Sequence, residues 1–184
     1  MLDLQIVEAK DRRQLEQVAA LMRDYFLWLR RRYVAQTPVL DSLYDERKRQ
    51  RELADLPGHY QTIMLAVVDG VPAGCVMLRR IDDQACEMKR LFVRPAFQNQ
   101  RIAHSLICKL ATTADALGYR AIRLETGPLQ FEAQGLYASL GFKRIAPYYA
   151  AAGWLKDNML FFEGAPRDVA AAAACKRPQL SIAA

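Results

Sequence analysis

Residues 86–106 read CEMKRLFVRPAFQNQRIAHSL, and a change of texture inside this stretch decides the fold. From Ala85 to Val93 the run ACEMKRLFV reads as a strand. Arg94-Pro95 ends it, because proline has no N–H for a ladder and restricts the residue before it. A helix starts near Asn99: Ile102, Leu106, Leu110, Ala114 and Leu117 fall on one face, and Gly118 is placed as its C-terminal stop. A strand that feeds a helix through a short polar loop is therefore the centre of the chain.

Upstream, TIMLAVV, then Asp69-Gly70, then VPAGCVMLRR, then Asp82-Asp83 precede that strand. Asp-Gly between apolar runs is a hairpin signal, so three antiparallel strands follow one another. Further back, Leu4 to Val7 reads as a short strand. After Asp11, the residues Leu15, Val18, Met22, Tyr25 and Leu29 recur at helical steps. The segment Thr37 to Asp41, with Pro38, breaks that pattern, and Tyr44 to Ala54 is a charged helical stretch closed by Pro57-Gly58. Downstream, Ala121 to Glu125 has strand character and Thr126-Gly127-Pro128 is a break. Ala133, Leu136, Tyr137 and Leu140 make a short helix ended by Gly141, and Phe142 to Ile145 and Met159 to Phe162 supply two last strands. The order β-α-α-β-β-β-α-β-α-β-β predicts an α/β chain with a central mixed, mostly antiparallel sheet flanked by helices. Residues 1–165 are expected to form one domain, and 166–184 an Ala-rich tail, loosely attached or helical on its own.

With 184 residues, 52% apolar and 25% charged, the chain fits one globular domain and excludes disorder or a collagen-like repeat. No window approaches the roughly 18 to 20 apolar residues that span a bilayer, and MLDLQIVEAKDRR lacks the apolar core of a signal peptide. A cytoplasmic protein without membrane attachment is expected. The net charge of +6 includes Arg30-Arg31-Arg32, offset by Asp41, Asp45 and Glu46 nearby. With no aromatic-interleaved basic strand, nucleic acid is not an expected partner. Cys75, Cys86, Cys108 and Cys175 form no CxxC pair, and only His59 and His104 could join them, so no metal site is expected.

Taken together, CEMKRLFVRPAFQNQRIAHSL and GYRAIRLETGPLQFEAQGLYASLGFKRI (118–145) resemble the GNAT acetyltransferase superfamily. The shared pieces are a strand with V-x-P leading into a loop and helix, a second strand, and LYxxLGF. The likeness is tightest from Glu87 to Ile145, and the element order extends it loosely from Leu4 to Glu163. It implies a GNAT-like fold with acetyl-CoA as co-substrate, the acetyl passing directly to a primary amine of a small molecule or peptide. Homodimers are common in that family, so a second copy of the chain is a candidate partner. Free N–H groups and the positive dipole end of a helix start bind a pyrophosphate without any charged side chain. The family's loop reads Arg or Gln, two residues, Gly, one residue, then Gly or Ala. The corresponding residues are Gln98, Asn99, Gln100, Arg101, Ile102 and Ala103, followed by His104. Gln98 and Ala103 conform; Arg101 stands at the central glycine, and Asn99 where another glycine is common. Glycine there gives backbone freedom and close approach. If the backbone is an ordinary right-handed helix, Arg101 costs little and is either a solvated surface residue or a partner for a phosphate. The alternative is a catalytically silent domain that binds an acyl-CoA as a sensor, or a scaffold with a degenerate loop.

The resemblance also suggests roles along the strands. Counting back from the loop reaches Glu87, the candidate base that takes a proton from the acceptor ammonium; paired with a neighbouring Arg or Lys it would be an ordinary strand residue. Tyr137 in LYASLGF is the candidate acid for the departing thiolate, or a core residue. Leu91, Phe92 and Val93 would present backbone groups to the pantetheine arm where two parallel strands splay. Tyr25, Trp28, Tyr33, Tyr148, Tyr149 and Trp154 would border the acceptor cleft. Arg79, Arg90 and Arg94 hint at an acceptor bearing a carboxylate or phosphate, or serve the CoA phosphates.

Overall fold

The computed structural model describes residues 3–36, 46–150 and 154–175. The break at Thr37 to Asp41, the first residues of the charged helix and the tail beyond Cys175 lie outside them. Strand β1 (Leu4–Glu8) leads into α1 (Arg12–Arg32), started by a capping box. Asp11 Oδ1 accepts from the Gln14 N–H at 2.8 Å, and the Gln14 side chain accepts from the Asp11 N–H at 3.3 Å. Helix α2 (Glu46–Ala54) is followed by the single turn α3 (Leu56–His59). Pro57-Gly58 therefore lies inside a short helix instead of closing the charged one, because Asp55 caps that turn and proline is tolerated in a first turn.

The chain continues through β2 (Thr62–Val68), β3 (Val71–Arg80) and β4 (Ala85–Val93) into α4 (Ile102–Ala116). Then come β5 (Ala121–Thr126), α5 (Phe131–Ser139), β6 (Lys143–Ile145), α6 (Trp154–Asn158), β7 (Leu160–Gly164) and α7 (Pro166–Cys175). The sheet has seven strands in the order β1-β2-β3-β4-β5-β7-β6. Every pairing is antiparallel except β4 with β5. One apolar cluster packs on the α4 face, the other between α1 and the opposite face.

Two local departures from regularity shape the centre. β4 and β5 pair only at Ala85↔Ala121, Cys86↔Ile122 and Glu87↔Arg123, and past Glu87 they are no longer hydrogen-bonded. On its other side β4 carries a bulge. Lys89 faces Met77 and Phe92 faces Cys75, so Arg90 and Leu91 together oppose Val76, with Arg90 left-handed at φ 57°. A bulge bends its strand and increases the local twist, and here it turns the end of β4 away from β5. The second departure is at the start of α4. The helix begins at Ile102, not near Asn99, because Asn99 and Arg101 both have positive φ, 62° and 58°.

The Ala-rich segment also differs from expectation. Up to Cys175 it is a helix laid against α4, with Val169 and Ala173 fully buried in the core cluster. Those residues are spaced i, i+4, and small side chains let the two helices approach closely.

Candidate active site

Where β4 and β5 part, a cleft of about 870 Å³ opens between the end of β4, the start of α4, and α5 with the end of α1. Leu91, Phe92 and Val93 line one wall, and Gln98, Asn99, Arg101, Ile102, Ala103 and His104 line one end. Tyr25, Trp28 and Arg32 from α1 close the other side with Ala133 and Leu136 from α5. The end of α1 is tied to the β5–α5 turn. Arg32 Nε donates to the Leu129 carbonyl (2.6 Å), its guanidinium pairs with Glu132 (2.7 Å), and the Leu129 N–H donates to the Tyr33 hydroxyl (3.0 Å). Gly127 is required in this turn, since a Cβ there would fall 2.0 Å from that hydroxyl.

At the α4 end, the residue in the cap position is Arg101, which has no side-chain acceptor to offer the first-turn N–H groups. Those groups and the helix dipole face the cleft, and the Arg101 and Arg32 side chains line the same space. The donor set is cationic and rich in N–H, and fits a pyrophosphate.

A smaller cavity of about 60 Å³ lies in the fork itself, lined by Lys89 and Leu91 of β4, Glu125 and Thr126 of β5, and Tyr137 of α5, among others. Thr126 Oγ1 is buried and is the one buried side-chain polar atom without a hydrogen-bond partner among the described residues. Tyr137 is buried against the rings of Phe142 and Phe162, with centroids at 5.8 and 6.0 Å. Burial pushes its phenol above the ordinary value, so it stays protonated at neutral pH.

On the sheet face opposite α4, charges alternate along the fork. Glu87 is completely buried and accepts from the Tyr148 hydroxyl at 2.7 Å, from Lys89 Nζ at 3.2 Å and from Arg79. Burial alone would raise its carboxyl. The Lys89 ammonium, the Tyr148 hydroxyl and the Arg79 guanidinium outweigh that and hold it below the ordinary range. Lys89 Nζ reaches across the gap to Glu125 Oε1 at 2.9 Å, and the Tyr149 hydroxyl donates to the other oxygen of Glu125. Behind β4, Arg90 makes a bidentate pair with Glu52 at 2.8 and 2.9 Å, and the Tyr60 hydroxyl also donates to Glu52.

The profile of the Acetyltransferase (GNAT) family matches residues 17–142. The chain belongs to the GNAT acetyltransferase family. An uncharacterized N-acetyltransferase of Schizosaccharomyces pombe is 37% identical over 90 residues, covering 47% of this chain and 55% of that protein. The chain thus spans about half the length of that relative. The Escherichia coli N-acetyltransferase YjgM is 29% identical over 136 residues, covering 72% of this chain and 74% of its own. An N-acetylaspartate synthetase of Danio rerio is 29% identical over 148 residues, covering 75% of this chain and 52% of its own. Among solved structures, the PaiA N-acetyltransferase of Thermoplasma acidophilum in complex with coenzyme A superposes with a TM-score of 0.65 at 17% identity. The match covers 89% of this chain and 99% of that one. A Streptococcus agalactiae acetyltransferase gives 0.67 at 19%, covering 88% and 98%. At these identities the structures share the fold.

Most residues singled out from the sequence of this GNAT chain converge. Leu91, Phe92, Val93, Gln98, Asn99, Arg101, Ile102, Ala103 and His104 all border the large cleft. Gln100 is not among its lining residues; its side chain turns back to the Ala96 carbonyl at 3.5 Å. Tyr137 borders the fork cavity, whereas Glu87 borders neither of these two. The condition under which Arg101 would cost little, an ordinary right-handed helix, is not met, since its backbone is left-handed. The three arginines expected near an anionic acceptor are engaged internally: Arg79 with Glu87, Arg90 with Glu52, and Arg94 with Asp24 and the Pro72 carbonyl. Of the aromatics, Tyr25 and Trp28 face the cleft, Tyr33 braces the β5–α5 turn, Tyr148 and Tyr149 cover the two glutamates, and Trp154 packs against the α1-side core. Sequence reading missed Lys89, Glu125 and Thr126. Lys89 and Glu125 are 36 positions apart and meet only because a parallel crossover brings their strands together.

Among the described residues no helix is long and apolar enough to cross a membrane.

Proposed function

We propose that the chain is an acetyl-CoA-dependent N-acetyltransferase that moves the acetyl group directly to a primary amine of a small molecule or peptide, in the cytoplasm. The observation that carries this reading is the β4–β5 fork opening into a cleft that ends at an uncapped helix start. Such a cleft suits a long ligand with an anionic end and a reactive tip: N–H groups and Arg101 for the phosphates, the unpaired edge of β4 at Leu91 to Val93 for the amide-bearing arm, and the fork for the thioester. Bound acetyl-CoA supplies the activated acyl group. In this reading Tyr137, which borders the fork and is kept protonated by burial, gives the proton to the departing thiolate. Glu87 holds Lys89 and Tyr148 beside it. The relatives point the same way: the Thermoplasma acidophilum protein binds coenzyme A, and the Danio rerio relative is named for an N-acetylated product.

Calorimetric titration with acetyl-CoA and with CoA tests the reading. Micromolar binding of both supports it. No binding at millimolar ligand defeats it and leaves a GNAT-shaped scaffold. Binding without turnover across a broad amine panel turns the reading to a silent acyl-CoA sensor.

A further inference from the structure

The fork cavity is lined from both faces of the sheet, and its two sides carry different chemistry. Thr126, which alternates with Ile122 and Leu124, belongs to the α4 face with Tyr137; Glu125 and Lys89 belong to the other. A buried hydroxyl without a partner costs free energy comparable to a lost hydrogen bond, and in a cavity of this size it marks where a ligand atom belongs. Of the acidic residues among the described residues, Glu125 borders this cavity and Glu87 does not. Glu87 is fully buried and takes three donors, whereas Glu125 takes two and keeps 21% of its side chain exposed.

Resting on the acetyltransferase reading, we propose that Glu125, not Glu87, takes the proton from the incoming amine, and that Thr126 Oγ1 hydrogen-bonds the acyl group held in the fork. The groups facing Glu125 are Lys89 from β4, Tyr149 and Tyr148 from the segment after β6, Arg123 on its own strand, and Glu87 across Lys89. The Lys89 ammonium disfavours a second cation beside it, so the amine binds in its neutral, nucleophilic form. The amine nitrogen bonds to the acyl carbon as its proton passes to Glu125, the carbon–sulfur bond breaks, and Tyr137 protonates the leaving thiolate. Solvent then takes the proton from Glu125 and restores the one on Tyr137.

The test compares Glu125→Gln, Glu87→Gln and Thr126→Val with wild type in three measurements: acetyl-CoA affinity by calorimetry, thermal midpoint, and CoA thiol release from pH 5 to 10. The probes are phenethylamine, L-aspartate, spermidine and glycylglycine, with thioester hydrolysis by water as the fallback nucleophile. Glu125→Gln is expected to lose about 10²- to 10⁴-fold in rate, with acetyl-CoA affinity little changed. Thr126→Val is expected to bind acetyl-CoA roughly 2- to 10-fold more weakly while its midpoint stays or rises, because the orphan hydroxyl is gone. Glu87→Gln is expected to lower the midpoint and keep most of the rate. Glu125→Gln with near-wild-type rate, or a folded Glu87→Gln that loses about 10²-fold or more, overturns the base assignment. Unchanged acetyl-CoA affinity in Thr126→Val overturns the other half. If wild type does not bind acetyl-CoA, the acetyltransferase reading fails and this inference with it; if it binds and the variants do not respond, only this inference fails.

Discussion

Two arginines of this chain stand in the left-handed region, Arg90 at φ 57° and Arg101 at φ 58°, and almost everything else about them differs. A non-glycine residue there costs of order 1–2 kcal/mol because Cβ crowds the following carbonyl. At Arg90 the surroundings offset that cost. The guanidinium is largely buried, forked onto Glu52 and stacked over the Phe26 ring at 5.2 Å. At Arg101 the side chain is exposed, makes no cap hydrogen bond, and borders the cleft. The first strain is held by the fold and opens the fork between β4 and β5. The second has no equivalent support among the described residues, which is what a residue kept for a ligand looks like.

The largest effect should come from breaking the supported one. Glu52→Gln leaves the Arg90 charge buried without its counter-ion and is expected to cost about 3–5 kcal/mol, read by denaturant unfolding. Glu52→Met with Arg90→Met should recover most of that loss, because replacing both members of a buried pair is far milder than removing one. If the single variant unfolds like wild type, the bulge is held by something other than this pair.

Acid should act on the same assemblies. Glu52 and Glu87 both sit below the ordinary 4.5: burial raises each, and Arg90 on one, Lys89 with Tyr148 and Arg79 on the other, more than reverse it. A carboxylate with a depressed folded-state pKa contributes stability that is complete above its unfolded value and is lost as pH falls through the folded value. The stability of wild type is therefore expected to fall steadily below about pH 4.5, and Glu87→Gln to flatten part of that slope. An identical slope in the variant would mean that Glu87 binds its proton equally well folded and unfolded, so that its three donors give no net preference for the carboxylate.

Much of this was legible beforehand, and the missing parts share a cause. Asp69-Gly70 marks a hairpin and the apolar spacing Ile102, Leu106, Leu110, Ala114 marks the helix face, because both are local patterns, whereas Leu117, given to the same face, is exposed just past the helix end. The positive φ at Arg90 left no such trace, since nothing in an arginine announces a left-handed backbone; at Asn99 and Arg101 the trace lay in the resemblance, which has glycine at those positions. Glu125 and Thr126 were read as a strand end and a break. Their chemistry depends on where β5 leaves β4, which is set by the bulge opposite Val76 and not by their own neighbours. Val169 and Ala173 did carry a helical spacing, masked by the low complexity around them.

Relief of the unsupported strain is the next smaller effect. Arg101→Gly should gain roughly 1–2 kcal/mol from the freed backbone and lose about 0.4–1 to the more flexible unfolded chain, a net rise in thermal midpoint. If the guanidinium pairs with a phosphate, the same variant binds acetyl-CoA more weakly. A variant that is both more stable and tighter-binding would show the side chain to be an obstruction.

The smallest effect sharpens the comparison most. Asn99 shares the left-handed geometry at φ 62° and the same cleft, but asparagine tolerates that region because its short amide bonds locally. Asn99→Gly has little strain to relieve and still loosens the unfolded chain, so it should be neutral or destabilising by a few tenths of a kcal/mol. Two glycine substitutions two positions apart at matching φ should thus differ, the one at Arg101 raising the midpoint and the one at Asn99 leaving or lowering it. If both raise it equally, the strain lies in the loop as a whole and not in the side chain that Arg101 brings to it, and the case for Arg101 as a residue kept for the cleft would rest on affinity alone.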